Sequence, residues 1–357
     1  MGGSVILFVV QEKAGQTPVL QETRVMRQKV WLTSSDYHKN VPRNLLDLCR
    51  GLLEANTKWN FELAPSPDLA DIILFIENAE HKFRDYVDVL RSNEWIVKYP
   101  NRCFVHDFAD FPAGFMPGVY TSMPRDRHDS RRTRAGAFMG INPFACTLGT
   151  NQPQLLFSFR GFASHPVRVE LFKVKFDRPD CVVTQSFKWF NHDDSEKHRY
   201  GEELRNTKFV LCPRGAGTGT GRVFESMASG RVPIIMSDAY QPPMAPMWND
   251  FAIILSESKV SQVAQIAEQY EPRWREMGQH GRHIYETWFC PEVNIFRLLQ
   301  AIEEIMLYRP ANHDEREYQA KWSGLKIAWE NGWTLPQRGT RKIKQFLMPR
   351  TKEPRTK

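Results

Sequence analysis

Residues 212–238, CPRGAGTGTGRVFESMASGRVPIIMSD, gather groups of the kind that hold a pyrophosphate. Gly215, Gly217, Gly219 and Gly221 alternate with other residues, and glycine lets a backbone take positive φ and approach a ligand with no Cβ in the way. Thr218 and Thr220 bring hydroxyls, and Thr220 stands where it would N-cap a helix beginning at Arg222. The first turn of such a helix offers unpaired amides and the positive end of its dipole to an anion, and Arg222 and Arg214 add two guanidinium charges. Glu225, one turn in, is placed to accept hydrogen bonds from two ribose hydroxyls, with Ser226 beside it on the polar face. Gly230 ends the helix as a left-handed C-cap.

Two common phosphate motifs do not fit this segment. A P-loop needs GxxxxGK followed by Ser or Thr, and no lysine follows these glycines. The dinucleotide fingerprint GxGxxG fails because Arg222 stands where the last glycine belongs.

Displacement of a nucleoside diphosphate by a hydroxyl also needs a group that takes the proton. Glu77, His106, Asp107 and Asp110 follow the buried runs DIILFIE and RCFVHD, and ligands of open parallel sheets gather at such strand ends. Asp107 is the first choice as base. Arg125, Arg127, Arg131, Arg132 and Arg134 read as a solvated loop with internal pairs to Asp126 and Asp129 rather than as a clamp for an anionic acceptor. Tyr120, Trp189 and Trp248 read as core before sugar-stacking surfaces. The ten histidines show no metal-ligand spacing, so neither a metal nor another cofactor is expected.

These groups need strands to carry them. Ile72–Ile76 and Cys103–Val105 are predicted buried strands in the first half, covered by a helix through Leu45, Leu46, Leu48, Leu52 and Leu53. In the second half LLFSFRG, CVVTQSF, KFVLCP, VPIIMSD and FAIIL alternate with helical stretches, which predicts a second doubly wound sheet. Residues 125–153 read as an irregular connection. The expected division is a first domain over 1–150, a nucleotide-binding domain over 151–310, a helical extension over 311–336 and a basic flexible tail over 337–357.

The chain's 357 residues suit two domains, and 41% hydrophobic with 25% charged residues is ordinary for a globular protein. The tail holds eight basic residues against Glu353, which accounts for the whole net charge of +7. The folded body is therefore neutral, which argues against nucleic acid, while the tail suits peripheral contact with an anionic membrane face. Six scattered cysteines without a CxxC pair indicate a reduced compartment, and VILFVV at residues 5–10 is too short for a signal peptide or a spanning helix. A cytoplasmic location is the expectation.

CPRG, GRVFESMASGRVPIIMSD and QPP, with FSFRG before them, resemble the exostosin-like glycosyltransferases of family 47. The resemblance covers residues 155–290 well and the first half loosely, through FVHDFAD and PGVYTSMPR. It implies a GT-B architecture, two Rossmann-like domains facing a central cleft, and metal-free inverting transfer from a nucleotide-sugar to a glycan acceptor. Arg222 would then face the diphosphate and Glu225 the ribose, with Arg160 and Gly161 at the adjacent strand end. Ser226 replaces the usual alanine and Arg214 a common serine. Animal members carry a membrane anchor, so the chain is similar to a soluble member of bacterial or viral type. A sugar-nucleotide epimerase and a non-catalytic nucleotide-sugar sensor or scaffold are the alternatives.

Overall fold

The computed structural model describes residues 6–8, 22–24, 27–35, 43–78, 86–112, 114–186 and 193–324. Trp189 and the basic tail lie outside the described residues. Strands β1 (Ile6–Phe8) and β2 (Glu22–Arg24) form a short antiparallel pair.

The first sheet contains β3 (Gln28–Thr33), β4 (Phe61–Leu63), β5 (Ile72–Glu77), β6 (Cys103–Asp107), β7 (Gly118–Tyr120) and β8 (Thr133–Ala135), in the order β4-β3-β5-β6-β7-β8. Every pair is parallel. All six residues of β5 are buried, as a strand covered on both faces must be. Helix α1 (Arg43–Glu54) lies over one face through Leu45, Cys49 and Leu53, while Leu48 turns to solvent. Helices α2 (Tyr86–Ser92) and α3 (Glu94–Lys98) cover the other.

The second sheet is also wholly parallel: β9 (Leu155–Gly161), β10 (Cys181–Gln185), β11 (Thr207–Pro213), β12 (Val232–Met236) and β13 (Ile253–Leu255), ordered β10-β9-β11-β12-β13. Its helices are α4 (Pro166–Lys173), α5 (Asp194–Arg205), α6 (Arg222–Ala228), α7 (Val263–Tyr270) and α8 (Trp274–Ile284). Phe209 and Leu211 point to the face under α4 and α7, Val210 and Cys212 to the face under α6, so β11 is central and continuously apolar. Two doubly wound parallel sheets are the GT-B arrangement expected from the sequence.

Two features differ from the expectation. The stretch 125–153 is not wholly irregular, since Thr133–Ala135 adds the edge strand β8. The boundary at residue 310 also moves. Helix α9 (Pro291–Tyr308) leaves the second domain and packs Ile295, Leu298, Leu299, Ile302 and Ile305 on Val30, Leu32, Ile72, Leu74 and Phe104 of the first sheet. After it, α10 (Arg316–Gln319) keeps the chain on the first domain, where Trp322 is buried against Phe115 and Glu315 forms a buried ion pair of 2.7 Å with Arg132. The apolar face of α9 finds more uncovered surface on the first sheet than on its own domain, and the chain ties the two together.

Candidate functional site

A cavity of about 1100 Å³ opens where β9 and β11 end, walled by residues 138 and 141–144, the start of α5, residues 215, 216 and 219–222 of the loop, and Asp110 from the first domain. Its floor is unusual in hydrogen bonding. Among the described residues, the seven consecutive amides from Gly215 to Gly221 donate to no acceptor, whereas the amides on either side do: Arg214 to the Met236 carbonyl at 3.0 Å and Arg222 to Thr220 Oγ1 at 3.4 Å. Backbone donors left unpaired at the rim of a cavity form a nest for an anion.

None of Gly215, Gly217, Gly219 and Gly221 has positive φ, so conformational freedom is not why the loop is built of glycine. The reason is close approach. A Cβ on Gly217 would lie 2.8 Å from Asp110 Oδ1 and Ser122 Oγ, and one on Gly219 would overlap the Thr121 carbonyl. The loop thus presses flat against the first domain, and side chains there would push the domains apart. Gly230 is left-handed at φ 67 as expected, and the Arg231 amide closes the helix end on the Ser226 carbonyl at 2.8 Å.

Arg222 lies across the cavity. Its Nη2 donates to the Arg160 carbonyl at 2.9 Å, its guanidinium sits 4.8 Å from the Phe159 ring and 5.6 Å from the Tyr200 ring, and its buried Nε has no partner. No carboxylate pairs with it among the described residues. Glu225 lines the same wall with both oxygens engaged, Oε1 by the Asn142 amide at 3.0 Å and Oε2 by the Tyr200 hydroxyl at 2.7 Å. Arg160 and Gly161 also line the cavity, but the Arg160 charge is offset by Glu203 at 2.7 Å.

The family model for the exostosin GT47 domain matches residues 149–270, which include every element of this floor. Those residues are similar to the exostosin domain of glycosyltransferase family 47. The chain is 29% identical over 101 residues to the exostosin-1 homolog of Caenorhabditis elegans, covering 28% of this chain and 26% of that one. It is 30% identical over 95 residues to a protein of Arabidopsis thaliana named as a probable glycosyltransferase, covering 24% and 18%. The matched stretch is thus about a quarter or less of either relative's length. Among solved structures, Anabaena HepE in complex with UDP superposes with a TM-score of 0.38 at 8% identity, over 77% of this chain and 98% of that one.

Four of the expected donor contacts are engaged in other ways, and Gly217, pressed against Asp110 and Ser122, does not line the cavity. Thr218 is buried and donates from Oγ1 to the Ser122 carbonyl at 2.8 Å, so its hydroxyl joins the domains. Ser226 is fully buried and bonds back to the Arg222 carbonyl at 2.6 Å. Arg214 does not line the cavity; its Nη1 sits 3.9 Å from Glu257, the surface carboxylate option, and burial lowers its pKa. Thr220 lines the cavity and its Oγ1 accepts from the Arg222 amide at 3.4 Å, but it stands one residue before the N-cap position, which falls on Gly221. Two residues had no sequence signal. Arg168 of α4 enters the cavity wall and holds the loop by donating to the Pro213 and Arg214 carbonyls at 3.0 to 3.2 Å; burial and then Arg222 push its pKa down to about 9. Tyr200 of α5 fixes Glu225 from below. Neither belongs to a motif, because each reaches the site from a helix whose sequence reads as ordinary amphipathic covering.

Of the four candidate bases, the structure brings only Asp110 to the cavity. Asp107 is 3% exposed, accepts from the Ala109 amide at 2.9 Å and lies close enough to Tyr86 and Tyr120 to raise both hydroxyl pKa values further than burial does. Glu77 is fully buried and accepts from Ser35, at 2.5 Å from the amide and 3.0 Å from the hydroxyl. His106 is 1% exposed, and burial pushes its pKa down to about 4. Of the arginines after β7, Arg125 and Arg131 are exposed, as in a solvated loop, while Arg132 and Arg134 are held by ion pairs. Arg132 pairs with Glu315, Arg134 with Glu304 at 3.2 Å, and Arg125 donates to the Tyr240 carbonyl across the domains at 2.8 Å. Tyr120 and Trp248 are held by the Met116 and Pro243 carbonyls and line neither the cavity nor an open surface.

Proposed function

We propose that this chain transfers a sugar from a nucleoside-diphosphate donor to a hydroxyl of a glycan, with inversion and without a metal. The observation that carries this reading is the set of unpartnered amides on Gly215, Ala216, Gly219, Thr220 and Gly221, which line one cavity beside an Arg222 guanidinium with no carboxylate partner among the described residues. A diphosphate fits both: its oxygens take the amide hydrogens, and its charge meets a guanidinium that has no carboxylate partner. Arg222 and the nest supply the positive charge that stabilises the departing diphosphate, the task a metal performs elsewhere.

Asp110 is the base in this reading. It faces the loop from the first domain, so an acceptor hydroxyl between them would pass its proton to the carboxylate while its oxygen attacks the anomeric carbon. The bond to the diphosphate breaks on the opposite side, and the leaving group stays in the nest. Glu225, already oriented by Asn142 and Tyr200, keeps lone pairs for ribose hydroxyls.

The test is incubation with a panel of uridine and guanosine diphosphate sugars and short glycans, in EDTA, reading nucleoside diphosphate released together with a new glycosidic bond. Release with EDTA present supports the whole reading. Sugar isomerised with its diphosphate bond intact, or binding with no turnover, would replace it by an epimerase or a sensor respectively.

A further inference from the structure

A second, smaller cavity of about 180 Å³ lies away from the donor loop, between residues 134–137 after β7, the proline turn 241–244 and the first two turns of α9. Its charge balance is one-sided. Arg134 and Arg297 line it, and no carboxylate does among the described residues. Arg134 is paired with Glu304, but Arg297 has only neutral partners, Gln300 Oε1 at 3.0 Å and the Thr287 carbonyl at 3.3 Å, and it stacks 4.0 Å from the Trp288 ring. Burial lowers its pKa, as expected for a guanidinium that has lost water and gained no counter-charge.

The hydrogen-bond inventory points the same way. Asn294 is 5% exposed, and its buried Nδ2 has no acceptor; the buried Nε of Arg297, on the same face of α9 one turn later, has none either. Both are donors, and both border the cavity. Asn294 sits in the first turn of an 18-residue helix, so the helix dipole adds positive potential at the same place. Behind Gly136 stands the buried His106 imidazole, 3.8 Å from where a Cβ on that glycine would be. Leaving such donors unpaired in a folded protein is costly. Water would give the donors an acceptor but leave Arg297 without a counter-charge. An oxyanion supplies both.

We infer that this cavity is a second anion site, taking a single phosphoryl, sulfuryl or carboxyl group between Asn294 Nδ2 and the Arg297 guanidinium. It stands on residues the donor site does not use, so it holds whether or not the chain is a transferase. Because α9 carries Asn294 and Arg297 while it packs on the first sheet and follows directly from the second domain, an anion here would bridge the two domains at their seam.

The test begins with wild-type crystals soaked in selenate. Anomalous density within hydrogen-bond reach of Asn294 and Arg297 is expected; density at the donor loop with none here overturns the inference. In solution, calorimetry with inorganic phosphate and with galacturonate separates a phosphoryl from a carboxyl ligand. At least one should bind at about 1 mM or tighter, be weakened about tenfold or more in Arg297→Gln, and be unchanged in Arg222→Ala. Binding lost in Arg222→Ala but kept in Arg297→Gln would assign the anion to the donor loop instead. Should Arg297→Gln fail to fold, the wild-type soak decides.

Discussion

The ends of β5 and β6 in the first sheet and of β9 and β11 in the second are both carboxyl ends of neighbouring parallel strands, although the strand order reverses at β9 and β11 in the second sheet and at β3 and β5 in the first. In the second sheet the crevice at these ends stays open: the amides of Gly215, Ala216, Gly219, Thr220 and Gly221 have no partner and line a cavity with Arg222. In the first sheet it is sealed. Glu77, His106 and Asp107 have the residue types of a proton-transfer site, yet each is at most 3% exposed, and the two carboxylates are spent on amides and hydroxyls. Residue type at a strand end is therefore weak evidence of chemistry. What separates the regions is whether partners within the fold have already used the polar groups, Ser35 from 42 residues upstream for Glu77 and Ala109 two residues on for Asp107. After β6 the chain turns so that Ala109 caps Asp107, and only Asp110 emerges.

The largest expected effect tests that contrast. Asp110→Asn should lower kcat about 10²–10⁴-fold, the usual range for a lost general base, with donor affinity kept. Asp107→Asn should reduce stability and leave turnover per folded molecule near wild type. A reversal in steady-state kinetics, with the Asp107 variant inactive and the Asp110 variant normal, would return catalysis to the sealed region. Next, Arg222→Ala should weaken nucleoside-diphosphate binding by roughly 10²-fold, about 3 kcal/mol for a charge-assisted contact to phosphate. Unaltered affinity in calorimetry would leave the open crevice without its main charge.

The sealed region should instead show itself in acid. His106 has a pKa of about 4 in the fold against 6.5 for the free side chain, because burial disfavours its charged form. The unfolded chain therefore binds more protons at this residue below pH 6.5, so stability is full above 6.5 and falls as pH drops toward 4. Between pH 7 and 5 the share from His106 is about 2 kcal/mol, and His106→Phe should remove it. Urea unfolding at the two pH values measures this. An identical pH dependence in the variant would show that His106 is protonated, or wet, in the native state. His128, also lowered to about 4 by burial, adds a parallel contribution that the variant leaves in place.

Much of this was legible in the sequence because it was local. The five strands of the second sheet announce themselves as apolar runs, and the 212–238 segment carries its turn, helix and stop signals in order, so Arg222, Glu225, Gly221 and Gly230 fall where their spacing places them. What the sequence hid was long-range. Strands β7 and β8 are three residues each, too short for periodicity to mark, and are strands only because β6 pairs with β7 and β7 with β8. The return of α9 to the first sheet is decided by which apolar surface lies uncovered, a property of the assembled core. Arg168 reaches the loop from 45 residues upstream in sequence, and no spacing rule spans that distance.

Thr218 is the smallest and most direct test of where the open region ends. By type and position it belongs with the ligand-facing hydroxyls, but its Oγ1 donates to the Ser122 carbonyl at 2.8 Å and its own carbonyl accepts from Ser237 Oγ at 2.9 Å. Thr218→Val keeps the shape and removes one buried interdomain hydrogen bond, so it should cost about 1 kcal/mol of stability in chemical unfolding while donor affinity stays within experimental error. If the variant instead kept full stability and lost affinity for nucleoside diphosphate, the hydroxyl would belong to the ligand rather than to the contact between the domains.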